Sequence, residues 1–198
     1  MNSIRQCARQ CAASVPASRG RMKVHLALVL AFDVAALTGC AGNAPPEQPS
    51  FYQDLAQVDV KVDAAAAASM ISGFRSNNGL PPVTVEPELM RMADEQAHAM
   101  AAHDKMEHDV GAPFRDRIHN SQFRSAVAVE NISAGYHTLA EAFSGWRDSP
   151  PHRANMLNAS VTKMGIAAVY APKSKYKVFW ALILAGDGRQ ASNEDRRD

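Results

Sequence analysis

Residues 146–155 read WRDSPPHRAN and carry the most distinctive pattern in the chain. Trp146 lies near the end of a predicted helix over residues 138–147, with Thr138 as its cap and Glu141 completing a capping box. Asp148-Ser149-Pro150-Pro151 ends that helix, because proline cannot continue one. Residues 153–158 predict a further short helical turn. The pattern therefore places His152 in a tight connection after a helix.

Two helices are predicted on the N-terminal side of this stretch. Residues 63–76 are rich in alanine, begin at the capping residue Asp63 and end at Asn77-Asn78-Gly79. Glu86-Pro87 then opens a helix that runs to about residue 105, with apolar residues at helical spacing. Both helices are amphipathic enough to cover a sheet.

Two strands are predicted on the C-terminal side, at residues 163–170 and 177–184, and the loop 171–174 between them indicates a hairpin. Residues 106–138 are predicted to be irregular, with Glu130-Asn131-Ile132 in a loop. Helices flanking an antiparallel sheet predict the α+β class, as a three-layer α-β-α sandwich with a small antiparallel sheet.

The start of the chain resembles an export signal. Residues 26–37 read LALVLAFDVAAL, too short for a transmembrane helix, which needs about 20 apolar residues. Basic residues precede this run, and Leu37-Thr38-Gly39-Cys40 resembles a lipobox. Residues 1–39 are therefore predicted to be a signal peptide and Cys40 the lipidation site, the alternative being a stray or buried thiol. The long leader makes Met22 an alternative start.

The remaining chain is predicted to hold a linker over residues 41–60, one domain over 61–186 and a flexible tail over 187–198. Residues 40–198 carry 16 Lys and Arg against 19 Asp and Glu, a net charge of −3. This composition offers no basic patch for nucleic acid. Cys40 is the only cysteine after residue 39, so the domain is expected to be held by its core and not by disulfides.

The candidate site residues are dispersed along the chain. His98, His103 and His108 are spaced five apart, which turns about 140° per step on a helix and prevents a shared face. The HExxH and GxSxG motifs are absent, which argues against a common zinc protease and weakens a serine-hydrolase reading. His108, Glu130 and His152 remain as the main candidates.

Taken together in order, the motifs resemble the CAP superfamily, which groups cysteine-rich secretory proteins, antigen 5 and plant pathogenesis-related proteins. The resemblance is to the bacterial SCP-like branch and covers roughly residues 65–186. The matching elements are Gly79-Leu80-Pro81-Pro82-Val83, Pro87-Glu88-Leu89, Ala93-Asp94-Glu95-Gln96-Ala97, Glu130-Asn131-Ile132, the set Trp146, Ser149, His152, Arg153 and Asn155, then Gly165-Ile166-Ala167-Ala168 and Phe179-Trp180-Ala181-Leu182.

The resemblance implies a central cavity lined by two His and two Glu that can hold a divalent cation. His108, Glu130 and His152 match three of the four positions, and Ser149 stands at the fourth, so one anionic ligand is missing. These ligands suit Zn²⁺ or another divalent cation. The alternative is a structural network in which Glu130 accepts hydrogen bonds from His108 or His152 and fixes irregular loops.

Three functions stay open on this basis. The first is an envelope binding module whose cavity, with Ser149 in its lining, holds a lipid, a sterol or another small apolar ligand. The second is a hydrolase using metal-bound or Glu130-activated water, with His152 as a second catalytic group. The third is an envelope interaction protein. The non-enzyme functions are favoured, since no nucleophile is evident. The predicted location is a membrane-anchored lipoprotein facing the periplasm or cell surface, with the membrane as its partner.

Overall fold

The structure is a computed structural model that describes residues 48–123, 125 and 127–186. The predicted signal peptide, the lipidation site Cys40, the first part of the linker and the C-terminal tail lie outside these residues.

The first two helices form where the sequence predicts them. Helix α1 spans Ala64–Ser76, and the Asp63 carboxylate caps it by accepting from the Ala66 N–H at 3.0 Å. Helix α2 spans Pro87–His103 with proline in its first turn. It ends two residues before the predicted end, because Asp104 adopts a left-handed conformation with φ 51°.

The prediction that residues 106–138 are irregular is wrong in two places. They contain the short helix α3, Phe114–Asn120, and the strand β2, Ala128–Ala134. Helix α3 is too short and polar to show a helical period. Strand β2 has buried residues at four consecutive positions, including Glu130 and Asn131, which removes the alternation that marks a half-buried strand. Glu130-Asn131-Ile132 therefore lies in a strand and not in a loop.

The next two helices, over residues 139–156, also form close to where the sequence predicts helical structure. Helix α4 spans Leu139–Asp148, and the predicted capping box between Thr138 and Glu141 is present. The predicted turn over 153–158 is an earlier and complete helix, α5, over Pro150–Met156. The two prolines begin this helix as well as ending α4, since their missing N–H groups are not needed in a first turn.

One four-stranded sheet connects these elements. Its order is β1 (Thr84–Val85), β3 (Lys163–Tyr170), β4 (Val178–Ala185) and β2. The short β1 pairs with β3 in parallel, and the other pairs are antiparallel. The predicted β3–β4 hairpin is confirmed.

Helices cover both faces of this sheet, as the three-layer prediction requires. Helices α1, α4 and α5 pack on one face, where Trp146 and Trp180 meet edge to face with ring centroids 6.3 Å apart. Helix α2 packs on the other face. Gly165 permits this contact, because a Cβ there would lie 2.0 Å from the main-chain carbon of Leu89. The α+β class and the α-β-α sandwich are confirmed.

The described part of the predicted linker already packs on the domain. Residues Ser50–Tyr52 form a 3₁₀ turn, and the Ser50 hydroxyl donates to the Asp63 carboxylate at 2.7 Å. Leu55 is buried in the core, and its N–H donates to the carbonyl of His137 at 2.8 Å. Residues Ser50–Tyr52 and Leu55, which fall within the predicted linker of 41–60, are therefore in contact with the domain. Within residues 48–123, 125 and 127–186, no helix has the length and apolar character to cross a membrane.

Candidate functional site

Three structural elements carry the predicted site residues. His108 follows α2 in a loop, Glu130 lies on β2 and His152 lies on α5. The Glu130 side chain is only 1% exposed, and its Oε2 lies 2.9 Å from Nδ1 of His108. The network hypothesis offered His108 or His152 as the partner of Glu130, and in the structure this partner is His108.

Arg117 on α3 is the main partner of Glu130 and was not among the predicted residues. Its Nη2 donates to both carboxylate oxygens, at 2.9 Å to Oε1 and 3.1 Å to Oε2. The same nitrogen donates to the main-chain carbonyl of His108 at 3.0 Å. The guanidinium carbon also lies 5.1 Å from the centre of the Phe114 ring, a cation–π distance. Glu130 is thus part of a buried ion pair.

Two amide side chains join β2 to α5 beside this ion pair. Nδ2 of Asn131 donates to the carbonyl of His152 at 3.0 Å. Nδ2 of Asn155 donates to Oδ1 of Asn131 at 2.8 Å and to the carbonyl of Glu130 at 3.2 Å. The Glu-Asn and His-Arg-x-Asn motifs are therefore in direct contact, although more than 20 residues separate them.

Helix α2 fixes the loop that carries His108. Gln96 is buried, and its Nε2 donates to the carbonyls of Glu107 at 2.8 Å and His108 at 3.2 Å. Sequence reasoning did not single out Gln96. The available signal was a polar residue on the apolar face of a predicted helix, which requires hydrogen-bond partners once buried.

The two histidines have opposite pKa shifts. The pKa of His108 is raised above its ordinary value of 6.5, first by the hydrogen bond to Glu130. The pKa of His152 is lowered, first by burial and then by the charge of His108. Relative to a free histidine, the protonated form is therefore favoured at His108 and the neutral form at His152.

The other predicted residues in this region have structural contacts. Arg153 donates to the carbonyls of Arg147 and Asp148, at 2.6 Å and 3.5 Å. Ser149 lies between α4 and α5, where its carbonyl accepts from the N–H of Arg153 at 2.9 Å. Its hydroxyl forms no hydrogen bond with any residue that the structure describes, so the contacts do not join Ser149 to Glu130.

The arrangement does not fit a divalent cation. A metal ion at Glu130 would have to compete with Arg117, which donates to both carboxylate oxygens, and with His108, which contacts one of them. In the described part of the chain, no three His, Cys, Asp or Glu side chains are placed to hold a metal ion. The same contacts disfavour general-base chemistry at Glu130, because its carboxylate is only 1% exposed and accepts hydrogen bonds from Arg117.

A separate apolar hollow lies between the N-terminal segment and helix α1. Its volume of about 550 Å³ matches that of a small-ligand site. Its lining residues are Pro49, Ser50, Phe51, Ala66, Ser69 and Met70. None of the four residues predicted to line a ligand cavity contributes to it.

Comparison with known proteins gives a consistent family match. The model of the cysteine-rich secretory protein family matches residues 68–184, more than half of the chain. The protein YkwD of Bacillus subtilis (strain 168) is 30% identical over 98 residues, which cover 48% of this chain and 38% of that protein. The chain therefore spans well under half the length of this curated relative.

Solved structures show the same fold at low identity. One is an extracellular protein containing an SCP domain from Bacillus anthracis str. Ames, with a TM-score of 0.54 and 22% identity, covering 62% of this chain and 39% of that one. Another is an outer surface protein from Borrelia burgdorferi, with a TM-score of 0.55 and 19% identity, covering 65% of this chain and 98% of that one.

Proposed function

The chain belongs to the cysteine-rich secretory protein family, and from this we propose that it is an exported, lipid-anchored domain that binds a lipid or another small apolar ligand. Export is supported by the signal-like sequence before Cys40 and by the similarity to an extracellular protein and to an outer surface protein. The proposed ligand site is the apolar hollow beside helix α1.

The apolar lining and the volume of the hollow are the main support for this proposal. Phe51, Ala66 and Met70 supply apolar side chains, and Ser50 and Ser69 are the polar members of the lining. Its volume of about 550 Å³ falls within the range of about 300–1,000 Å³ found for small-molecule sites. The neighbouring ring of Tyr52 is 51% exposed and lies 4.7 Å from that of Phe51, which extends the apolar wall outwards.

The position of the hollow in the chain supports a lipid as the ligand. Pro49 lies nine residues after Cys40. An extended segment of that length spans at most about 30–32 Å. An acylated Cys40 would therefore keep the hollow within reach of the membrane surface, where lipid is abundant.

The ion pair of Glu130 and Arg117 supports a structural role for the polar cluster within this function. It joins β2, α3 and the His108 loop through hydrogen bonds that leave Glu130 enclosed. Ligand binding at the hollow and the polar cluster then use different parts of the domain.

The test is native mass spectrometry of the mature protein purified gently from its own host, followed by titration with a fluorescent fatty acid. Ala66→Trp should fill the hollow and abolish both a lipid-sized mass increment and fatty-acid binding. Ala65→Trp is the matched control, because Ala65 is exposed and does not line the hollow. Binding that survives Ala66→Trp would exclude this site, and a wild-type protein that binds no apolar probe would exclude the function.

The anchor is tested separately. Cys40→Ser should remove the acyl mass from the mature protein and move it from the membrane to the soluble fraction. An unchanged mass and an unchanged membrane fraction would show that Cys40 is not lipidated. Fatty-acid binding by the Cys40→Ser protein should persist, which separates the anchor from the ligand site.

A further inference from the structure

We infer that the Arg117 guanidinium is a built-in cation that takes the place of a divalent metal at Glu130 and keeps this carboxylate from acting as a metal ligand. The inference concerns the polar cluster alone and does not depend on the apolar hollow.

The geometry places the charge of Arg117 directly against the Glu130 carboxylate. Nη2 lies 2.9 Å and 3.1 Å from the two oxygens of Glu130, so a single nitrogen of the guanidinium contacts both of them. The Glu130 side chain is 1% exposed and that of Arg117 is 13% exposed, which leaves little room for a second cation. A metal at this carboxylate would meet a fixed positive charge a few ångströms away.

Arg117 is held by several contacts and is not free to swing aside. Nη2 donates to the carbonyl of His108, and Nε donates to the carbonyl of Ala112 at 3.3 Å. The guanidinium also lies over Phe114 on the same helix. These contacts lock the position of the cation, whereas a flexible surface arginine could yield to a metal.

The charge balance explains why one cation excludes the other. Arg117 neutralises the single negative charge of Glu130, and Ser149 stands where the resemblance predicts a second acidic ligand. A dication bound beside Arg117 would leave an excess of positive charge in a largely enclosed site. Without Arg117, the buried Glu130 would lack its principal counter-ion, and a metal ion could supply one.

The remaining ligands are carried on backbone segments that already touch. His108 contacts Glu130 directly, while Asn131, the residue after Glu130, donates to the carbonyl of His152. Imidazole and carboxylate together are typical zinc ligands. Removal of the guanidinium should therefore leave His108 and Glu130 as a pair of side chains able to bind zinc.

The experiment compares zinc binding by the mature wild-type protein, Arg117→Met and Arg115→Met. Arg115 lies on the same short helix but is exposed, so its substitution is a matched control for the loss of one positive charge. Isothermal titration with Zn²⁺ should show an affinity for Arg117→Met about 10- to 100-fold above that of the other two proteins, the range over which groups around metal ligands act. Adding His108→Ala to Arg117→Met should reverse the gain.

A folded Arg117→Met protein with no gain in zinc affinity would overturn the inference. So would a wild-type protein that binds one Zn²⁺ through His108 and His152, as followed by their NMR signals during the titration. The wild-type measurement decides the question even where Arg117→Met fails to fold, because the inference requires those two signals to stay in place when one equivalent of zinc is added.

Discussion

Two arginines lie inside this domain and are neutralised in different ways. Arg75 is fully buried and donates to four main-chain carbonyls, those of Pro81, Met156, Asn158 and Val161, at 2.8–2.9 Å. Arg117 forms an ion pair with the carboxylate of Glu130. Arg75 therefore binds main-chain groups, whereas Arg117 binds a side chain of the candidate site.

This difference distinguishes an arginine that stabilises the fold from one that belongs to the candidate site. Burial lowers the pKa of Arg75, yet an arginine stays charged, so only peptide dipoles balance its charge. Those dipoles belong to the connection from α5 to β3 and to the segment after α1, so Arg75 links these two parts of the main chain. Arg117 instead meets a titratable group, so its removal changes the charge of the site as well as its stability.

The largest expected effect is at Arg75. We expect Arg75→Met to lower the free energy of unfolding by about 3–5 kcal/mol, because it leaves several buried carbonyls without donors. Urea denaturation measures this loss. Arg91→Met is the control, since Arg91 is half exposed and bonded to surface carboxylates, and should change stability by no more than about 1 kcal/mol. Equal losses in the two variants would show that Arg75 does not fasten the fold.

A smaller loss is expected at the ion pair. Arg117→Met should lower the free energy of unfolding by about 2–3 kcal/mol, because Glu130 loses its main counter-ion but keeps His108 as a partner. Glu130→Gln in the Arg117→Met background should restore part of this loss, since a neutral amide needs no counter-ion. A double-mutant cycle in urea should give a coupling of about 1–3 kcal/mol, and additive effects would contradict a direct pair.

The sequence predicts those parts of the fold that depend on local signals. Asp63 and Thr138 cap helices through side-chain oxygens, and the prolines at 150–151 mark a helix boundary whatever the rest of the chain does. Strand β2 was missed because its polar residues are buried by contacts from α3 and α5. Those contacts exist only in the folded chain, so no local period reveals them.

The candidate site, like the fold, was predictable only in part. Motif order identified His108, Glu130 and His152, and the structure brings the first two into contact. The counter-ion was not predictable, because Arg115 and Arg117 lie two residues apart in a segment without a helical pattern. Only the orientation of α3 selects Arg117, which faces Glu130, over Arg115, which is exposed.

An intermediate effect is expected where the strand and helix of the site are joined. Asn155→Ala removes donors to Asn131 and to the carbonyl of Glu130 and should cost about 1–2 kcal/mol in free energy of unfolding. Asn120→Ala, at the exposed end of α3, is the control and should be nearly neutral. A neutral Asn155→Ala would mean that the ion pair positions β2 without help from α5.

The smallest expected effect is the pH dependence of stability. It tests which of the two histidines keeps its proton to higher pH. His108 has a pKa raised above 6.5, so the stability that it contributes is present below pH 6.5 and is lost as pH rises through its folded-state pKa. His152 has a lowered pKa, so its protonation disfavours the folded state as pH falls below 6.5. NMR titration should therefore show His108 releasing its proton at higher pH than His152.

Substitution assigns each half of this pH profile. His108→Gln should remove the decline in urea midpoint above about pH 6.5, and His152→Gln should remove the decline on the acid side. Both changes should be small, because the His108 side chain is 49% exposed and water screens its charge. If His108 lost its proton before His152, the charge of the Glu130 carboxylate would be balanced by Arg117 alone. The contrast between the two arginines would then be sharper, because the ion pair of Arg117 and Glu130 would stabilise the site without a charge on His108.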